Sequence, residues 1–190
     1  MSVRSLLLGI DVSPKRMGWG LVDLITGEPV SCGMEPIDLP HAGWHHQQVQ
    51  RAIRNFSEID RYANGKLYGE IQAVFIEDTA GAGKFRQHDA GRAQGMVQAE
   101  VERRWPWVTV QFLKPSEWKK LAGLKGNASK EEVYLRALDL GFGVEQPGDQ
   151  SRVLEWVVPG GQDAADAGCI AVAGQRRNQE SWDRGNEEAA

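Results

Sequence analysis

The chain opens with VRSLLLGID, a largely apolar run of strand length that ends in an acid. SPKR follows as a turn, and MGWGLVDL alternates apolar residues as a second strand. ITGEP is a further turn, after which PVSCGMEPI reads as a third strand, so the first part of the chain predicts an antiparallel meander. Near residue 44 the period changes. In WHHQQVQRAIRNFSEIDRYA the apolar residues Val49, Ile53, Phe56, Ile59 and Ala63 recur at helical spacing with a polar opposite face. IQAVFIED is again a short apolar run ending in acids, a buried fourth strand. Residues 79–86, TAGAGKFR, predict a glycine-containing loop, and HDAGRAQGMVQAEVERRW a second long helix stopped by Pro106. WVTVQFLK gives a fifth strand. PSEW starts a short helix with Ser116 at its N-cap, and GLKGNASKEEVYLRALDLGF gives a loop and a helix with Ser129 at its N-cap and Glu132 three residues on. Residues 143–160, with Pro147 and Pro159, predict irregular structure, and QDAADAGCIAVAGQ a last, apolar helix.

The order β-β-β-α-β-α-β-α-α predicts an α/β domain: a mixed five-stranded sheet, a three-strand antiparallel meander plus two parallel strands, with helices on both faces. With 190 residues, one domain over residues 1–175 is expected, and residues 176–190 read as a polar, flexible tail. Hydrophobic content of 41% and charged content of 25% are those of a soluble globular protein. No apolar run approaches the length of a membrane span. The short apolar start, followed at once by an acid, reads as a strand rather than a signal peptide. Cys32 and Cys169 lie in apolar contexts without metal-ligand spacing, which predicts reduced core thiols and a cytoplasmic protein.

Four acids occupy element ends. Asp11 closes the first strand, Glu77 the fourth, and Asp163 and Asp166 open the last helix. If the first and fourth strands are parallel neighbours, Asp11 and Glu77 meet at their C-terminal ends, where open α/β sheets place their sites. A terminal helix across that edge brings in Asp163 and Asp166, whose i, i+3 spacing puts both on one face. Each has a plainer reading: Asp163 as a helix cap, Asp11 as a loop acid, and Asp78 as the inward acid in place of Glu77, although strand alternation sends those two to opposite faces. Together they form a cluster that repels itself unless divalent cations compensate it. Oxygen-only ligands suit Mg²⁺, with Mn²⁺ able to substitute, and two such ions suit phosphodiester hydrolysis.

These segments resemble a known group. LLLGIDVSPKRMGWGLVD resembles the first hairpin of the RuvC family of Holliday-junction resolvases, which have the RNase H-like fold. AVFIED resembles the strand of their catalytic glutamate, GRAQG a glycine-bounded segment in the next helix, GNASKEEV their basic loop and helix start, and QDAADAGCIAVA their last helix. The resemblance runs in order over residues 6–174. It implies that Asp11, Glu77, Asp163 and Asp166 are both the catalytic residues and the ligands of two Mg²⁺ ions. It implies an endonuclease making paired symmetric nicks in a four-way DNA junction, acting as a homodimer. The helix from His88 to Trp105 would then be the dimer element, with Met96 and Val97 as contacts or as core residues. Val-Ser-Pro after Asp11 and the long 143–160 segment depart from the common pattern and point to a divergent member of the kind carried by bacteriophages, placed in a bacterial or host cytoplasm.

The net charge is −4, but its distribution matters more. Lys114, Lys119, Lys120, Lys125 and Lys130 face one acid, Glu117, in their segment, and Lys84, Arg86 and Arg92 face Asp89. Such strips neutralise phosphates, although a solvated charged face is the common alternative. The resemblance places Lys119 and Lys130 at the scissile region and Phe85 where an aromatic stacks at the opened junction; Phe85 could equally cap the core. His88 is a surface residue or a proton-transfer group. Trp19, Trp105 and Trp118 read as packing. A nuclease acting on RNA or RNA–DNA hybrid, and a non-catalytic branched-DNA-binding protein, are the alternatives. An actin-like ATPase, suggested by the GID hairpin, would need a longer, duplicated chain.

Overall fold

Leu6, Leu7 and Leu8 are all fully buried, because the strand that carries them is central and covered on both faces. The computed structural model describes residues 4–13, 16–36, 69–78, 84–147, 154–157 and 161–189. The central strand, β1 (Arg4–Val12), runs antiparallel to β2 (Arg16–Asp23), and β2 antiparallel to β3 (Pro29–Pro36). On its other side β1 is parallel to β4 (Gly69–Glu77), and β4 to β5 (Thr109–Leu113), giving the order β3-β2-β1-β4-β5. This is the RNase H-like mixed sheet expected from the sequence. The predicted helix over residues 44–63 lies outside the described residues.

Helices cover both faces. Leu6, Leu8, Ile10 and Val12 of β1 point to one side, with Ile71, Val74 and Ile76 of β4, and pack against Ala93, Val97 and Val101 of α1 (Lys84–Arg104). Val97, expected as a core or dimer residue, is 2% exposed and belongs to this core. The helix begins at Lys84, so Phe85 and Arg86 stand in its first turn rather than in the expected loop.

Leu7 of β1 and Phe75 of β4 face the opposite side, against α2 (Pro115–Leu121), α3 (Lys130–Ala137) and α4 (Gly161–Ala189). From Ala164 to Gly174 α4 is almost entirely buried, sandwiched between the sheet and α2 and α3. It approaches the sheet so closely because the facing positions lack side chains. A Cβ on Gly9 would lie 2.8 Å from the Ala171 Cα, one on Gly20 2.6 Å from the Gly168 Cα, and one on Gly18 would strike the Asp163 carbonyl.

Three local expectations are corrected. The cap of α2 is Lys114, extended and with no side-chain cap bond, rather than Ser116, because Pro115 at N1 sets the helix start. Within the span expected to be irregular, β6 (Val144–Pro147) and β7 (Leu154–Val157) form an antiparallel ribbon. Residues 176–189, read as tail, continue α4, and Arg176 and Arg177 tie it to α2 by bonds of 2.6 Å to the Leu121 carbonyl and 2.7 Å to Glu117. By contrast, Ser129 caps α3 as expected. Its Oγ accepts from the Glu132 N–H at 3.2 Å, and its own N–H donates to Glu132 Oε2 at 2.6 Å.

Candidate active site

Strand register makes the first half of the site. Ile10 pairs with Ile76, so the next residues, Asp11 and Glu77, end parallel neighbours side by side. Alternation gives both the α4 face, shared with Leu7 and Phe75. Asp78, the alternative inward acid, has the opposite parity, and its backbone N–H donates to the Leu113 carbonyl at 2.8 Å. Helix α4 supplies the second half. Asp163 lies in its first turn, two residues inside the start, and Asp166 one turn further on. Close docking of α4 on Gly18 and Gly20 brings that turn to the end of β1.

The electrostatics register this convergence. Burial holds the Asp11 carboxyl well above the usual range, and Glu77, Asp166 and Asp163 push it further, with Lys130 opposing. Glu77 is also raised by burial, against the lowering effect of a hydrogen bond from Trp118; Asp166 raises it and Lys119 lowers it. Burial pushes Asp166 up to about 6, opposed by a hydrogen bond from Gln162 and by Lys130 and Lys119, and reinforced by Asp163. Four acids from three elements thus share one electrostatic environment.

Among the described residues, Glu77, Asp166 and Asp163 each have a distinct partner. Trp118 Nε1 donates to Glu77 Oε2 at 2.8 Å, Gln162 Nε2 donates to Asp166 Oδ1 at 2.7 Å, and Arg16 Nη1 lies 3.3 Å from Asp163 Oδ2. Arg16 is set by the β1–β2 turn, in which its N–H donates to Ser13 Oγ at 3.0 Å and its carbonyl accepts from the Ser13 N–H at 2.9 Å. Trp118, Gln162 and Arg16 were not identified as site residues from the sequence. Trp118 was read as packing, which it also does, and nothing in a linear pattern shows where an indole N–H points.

Among the described residues no three Asp, Glu, His or Cys side chains stand in a ready-made metal-ligating arrangement. Glu77, Asp166 and Asp163 each meet their donor through a single oxygen. A carboxylate has several lone pairs, so one such bond does not exhaust its capacity. Oxygen-only acids that raise one another's proton affinity fit a hard divalent cation, which would relieve that repulsion. Cys32 and Cys169 belong to the core instead, their thiols pushed up by burial to about 12.

A recess of about 170 Å³ opens at this corner, lined by Glu77, Asp166, Lys119, Lys130, Trp118, Pro115 and Val133. It unites two of the acids with two of the predicted DNA-binding lysines. Lys119 Nζ donates to the Ala128 carbonyl at 2.8 Å and sits 5.6 Å from the centre of the Trp118 ring. Lys130 is the first residue of α3, placed there by the Ser129 cap. Lys114, Lys120 and Lys125 are exposed on and around α2, and Arg92 is exposed on α1. The side chains of Lys84, Phe85, Arg86 and His88 lie outside the described residues. Among the described residues no helix is long and apolar enough to cross a membrane.

Neither a protein-family model nor a curated protein sequence matches the chain. Solved structures do. The RuvC of T. thermophilus in complex with a Holliday junction substrate matches with a TM-score of 0.62 at 19% identity, over 93% of this chain and 96% of that one. A second Thermus thermophilus RuvC structure gives 0.59 at 20% identity, over 92% and 96%. The yeast mitochondrial Holliday junction resolvase Ydc2 gives 0.51 at 16% identity, over 93% and 80%. At these identities the likeness is one of fold.

Proposed function

We propose that this protein is a divalent-metal-dependent endonuclease that resolves four-way DNA junctions by paired nicks in opposed strands. The observation that carries this reading is the delivery of Asp11, Glu77, Asp163 and Asp166 by three elements to one corner, beside a recess that also holds Lys119 and Lys130. The likeness in fold to resolvases, one of them bound to a Holliday junction, supports the choice of substrate.

Asp11, Glu77, Asp163 and Asp166 would hold Mg²⁺, and a pair of such ions supplies an activated water and stabilises the leaving oxygen. The chain's own groups do the rest. Lys119 and Lys130 neutralise phosphates next to the acids, and exposed Lys114, Lys120 and Lys125 extend that strip. Burial of α4 from Ala164 onward gives the turn that carries Asp163 and Asp166 a rigid support. Paired nicks require two such sites, hence a homodimer. With Val97 in the core, the α1 face left for a partner is that of Gly91 and Gly95, which are exposed with open space above them.

The test is a panel of labelled four-way junction, linear duplex, single strand and RNA–DNA hybrid, incubated with Mg²⁺ or with chelator. Mg²⁺-dependent cutting of the junction alone is expected. Preferential cutting of the hybrid would move the substrate to RNA, and binding without cutting under any divalent metal would leave a branched-DNA-binding protein.

A further inference from the structure

Glu77 is the longest of the four acids and has one more rotatable bond than any of the aspartates. Of the four it needs the most help to present an oxygen in one place. Its observed partner is Trp118, whose Nε1 lies 2.8 Å from Oε2. An indole N–H donates only and sits on a rigid ring, so its direction is fixed by whatever fixes the ring.

Several independent contacts fix it. Trp118 is 2% exposed and packs in the core with Leu113, Val133 and Ala165. Its helix, α2, has only seven residues and is held from outside. Pro115 sets its start, Arg177 binds Glu117 at 2.7 Å, and Arg176 binds the Leu121 carbonyl at 2.6 Å. Lys119 lies over the indole ring, 5.6 Å from its centre. The ring therefore cannot swing, and its N–H stands at one edge of the recess that holds Glu77 and Asp166.

From this geometry we infer that Trp118 is a positioning residue for Glu77: its N–H holds Oε2 and so orients the carboxylate toward the cation site. This role rests on the nuclease reading above. Outer partners of this kind typically change metal affinity about 10–100-fold when removed.

The experiment is Mn²⁺ binding by calorimetry on the full chain without DNA, for wild type, Trp118→Phe, Glu77→Gln and the double variant, with Mg²⁺-dependent junction cleavage in parallel. Phenylalanine keeps an aromatic ring in the core and removes only the donor. Trp118→Phe is expected to weaken Mn²⁺ at least about tenfold and raise half-saturating Mg²⁺ equally, with cleavage recovering at high Mg²⁺. In the Glu77→Gln background it should cause no further loss. Loss of packing alone would lower thermal stability but act equally in both backgrounds, and additivity of that kind overturns the role. Unchanged Mn²⁺ affinity in Trp118→Phe overturns it too.

A measurement on the native ring guards against a misfolded Phe variant. In amide-region NMR one indole N–H signal should move upfield on Glu77→Gln, as a charge-assisted bond becomes a neutral one. If no indole signal moves, the bond is absent and the role falls. Wild type that neither binds Mn²⁺ nor cuts overturns the nuclease reading, and this role with it. Wild type that does both, beside an indifferent Trp118→Phe, overturns the positioning alone.

Discussion

At Asp166, burial and the neighbouring Asp163 outweigh the bond from Gln162 and the two lysines, and the carboxyl is pushed up to about 6. An acid raised in this way binds its proton more tightly folded than unfolded, so it weakens the fold as it ionises. Its cost is absent below about pH 4, grows as pH rises, and is complete above about pH 6. In chelator, the stability of wild type relative to Asp166→Asn should therefore fall across that window by on the order of 2–3 kcal/mol, read by urea denaturation. Mg²⁺ at pH 7 should restore much of it in wild type and little in the variant. A pH-independent difference would mean that Asp166 is not under this strain. The four acids themselves were legible because each closes or opens an element. Their partners were not: Arg16, Gln162 and Trp118 meet the acids only through turn geometry, helix phase and ring direction.

Helix α4 is the element on which the site depends, and glycines determine how it docks. Gly9, Gly18 and Gly20 face it from β1 and β2, and each position lacks room for a Cβ. Gly20→Ala should cost about 1–3 kcal/mol in urea denaturation and, by shifting the turn that carries Asp163 and Asp166, lower junction cleavage by about a hundredfold. Wild-type stability and cleavage in that variant would show that α4 does not depend on the close approach. At the other helix beside the recess, Ser129→Ala should remove about 1 kcal/mol by breaking the capping box around Lys130, while leaving Mn²⁺ affinity unchanged. The sequence made that cap visible, since Ser and Glu stand at the required spacing. The ribbon of β6 and β7 was hidden by Pro147 and by the shortness of its strands. The helical continuation through residues 176–189 was hidden because polar composition says nothing of the Arg176 and Arg177 bonds to α2.

Across the whole molecule, the acids lie at the C-terminal edge of β1 and β4, with Lys119 of α2 and Lys130 of α3 beside them. A net charge of −4 therefore coexists with a locally basic approach to an acidic centre. Lys130→Ala should weaken junction binding and lower the slope of log affinity against log salt by about 1, measured by fluorescence anisotropy in chelator. An unchanged slope would remove Lys130 from the phosphate contacts. Topology was readable from the alternation of short apolar runs and helical periods, because β1 and β4 are buried on both faces and the meander has tight turns. The most direct test of the central claim is strand-by-strand mapping of cuts in a four-way junction labelled in turn on each arm. With Mg²⁺, wild type should nick two opposed strands at symmetric positions, and Asp11→Asn and Asp166→Asn should cut at least about a thousandfold more slowly. Cuts in wild type that are unpaired or insensitive to chelator, or undiminished cutting by those two variants, would contradict it.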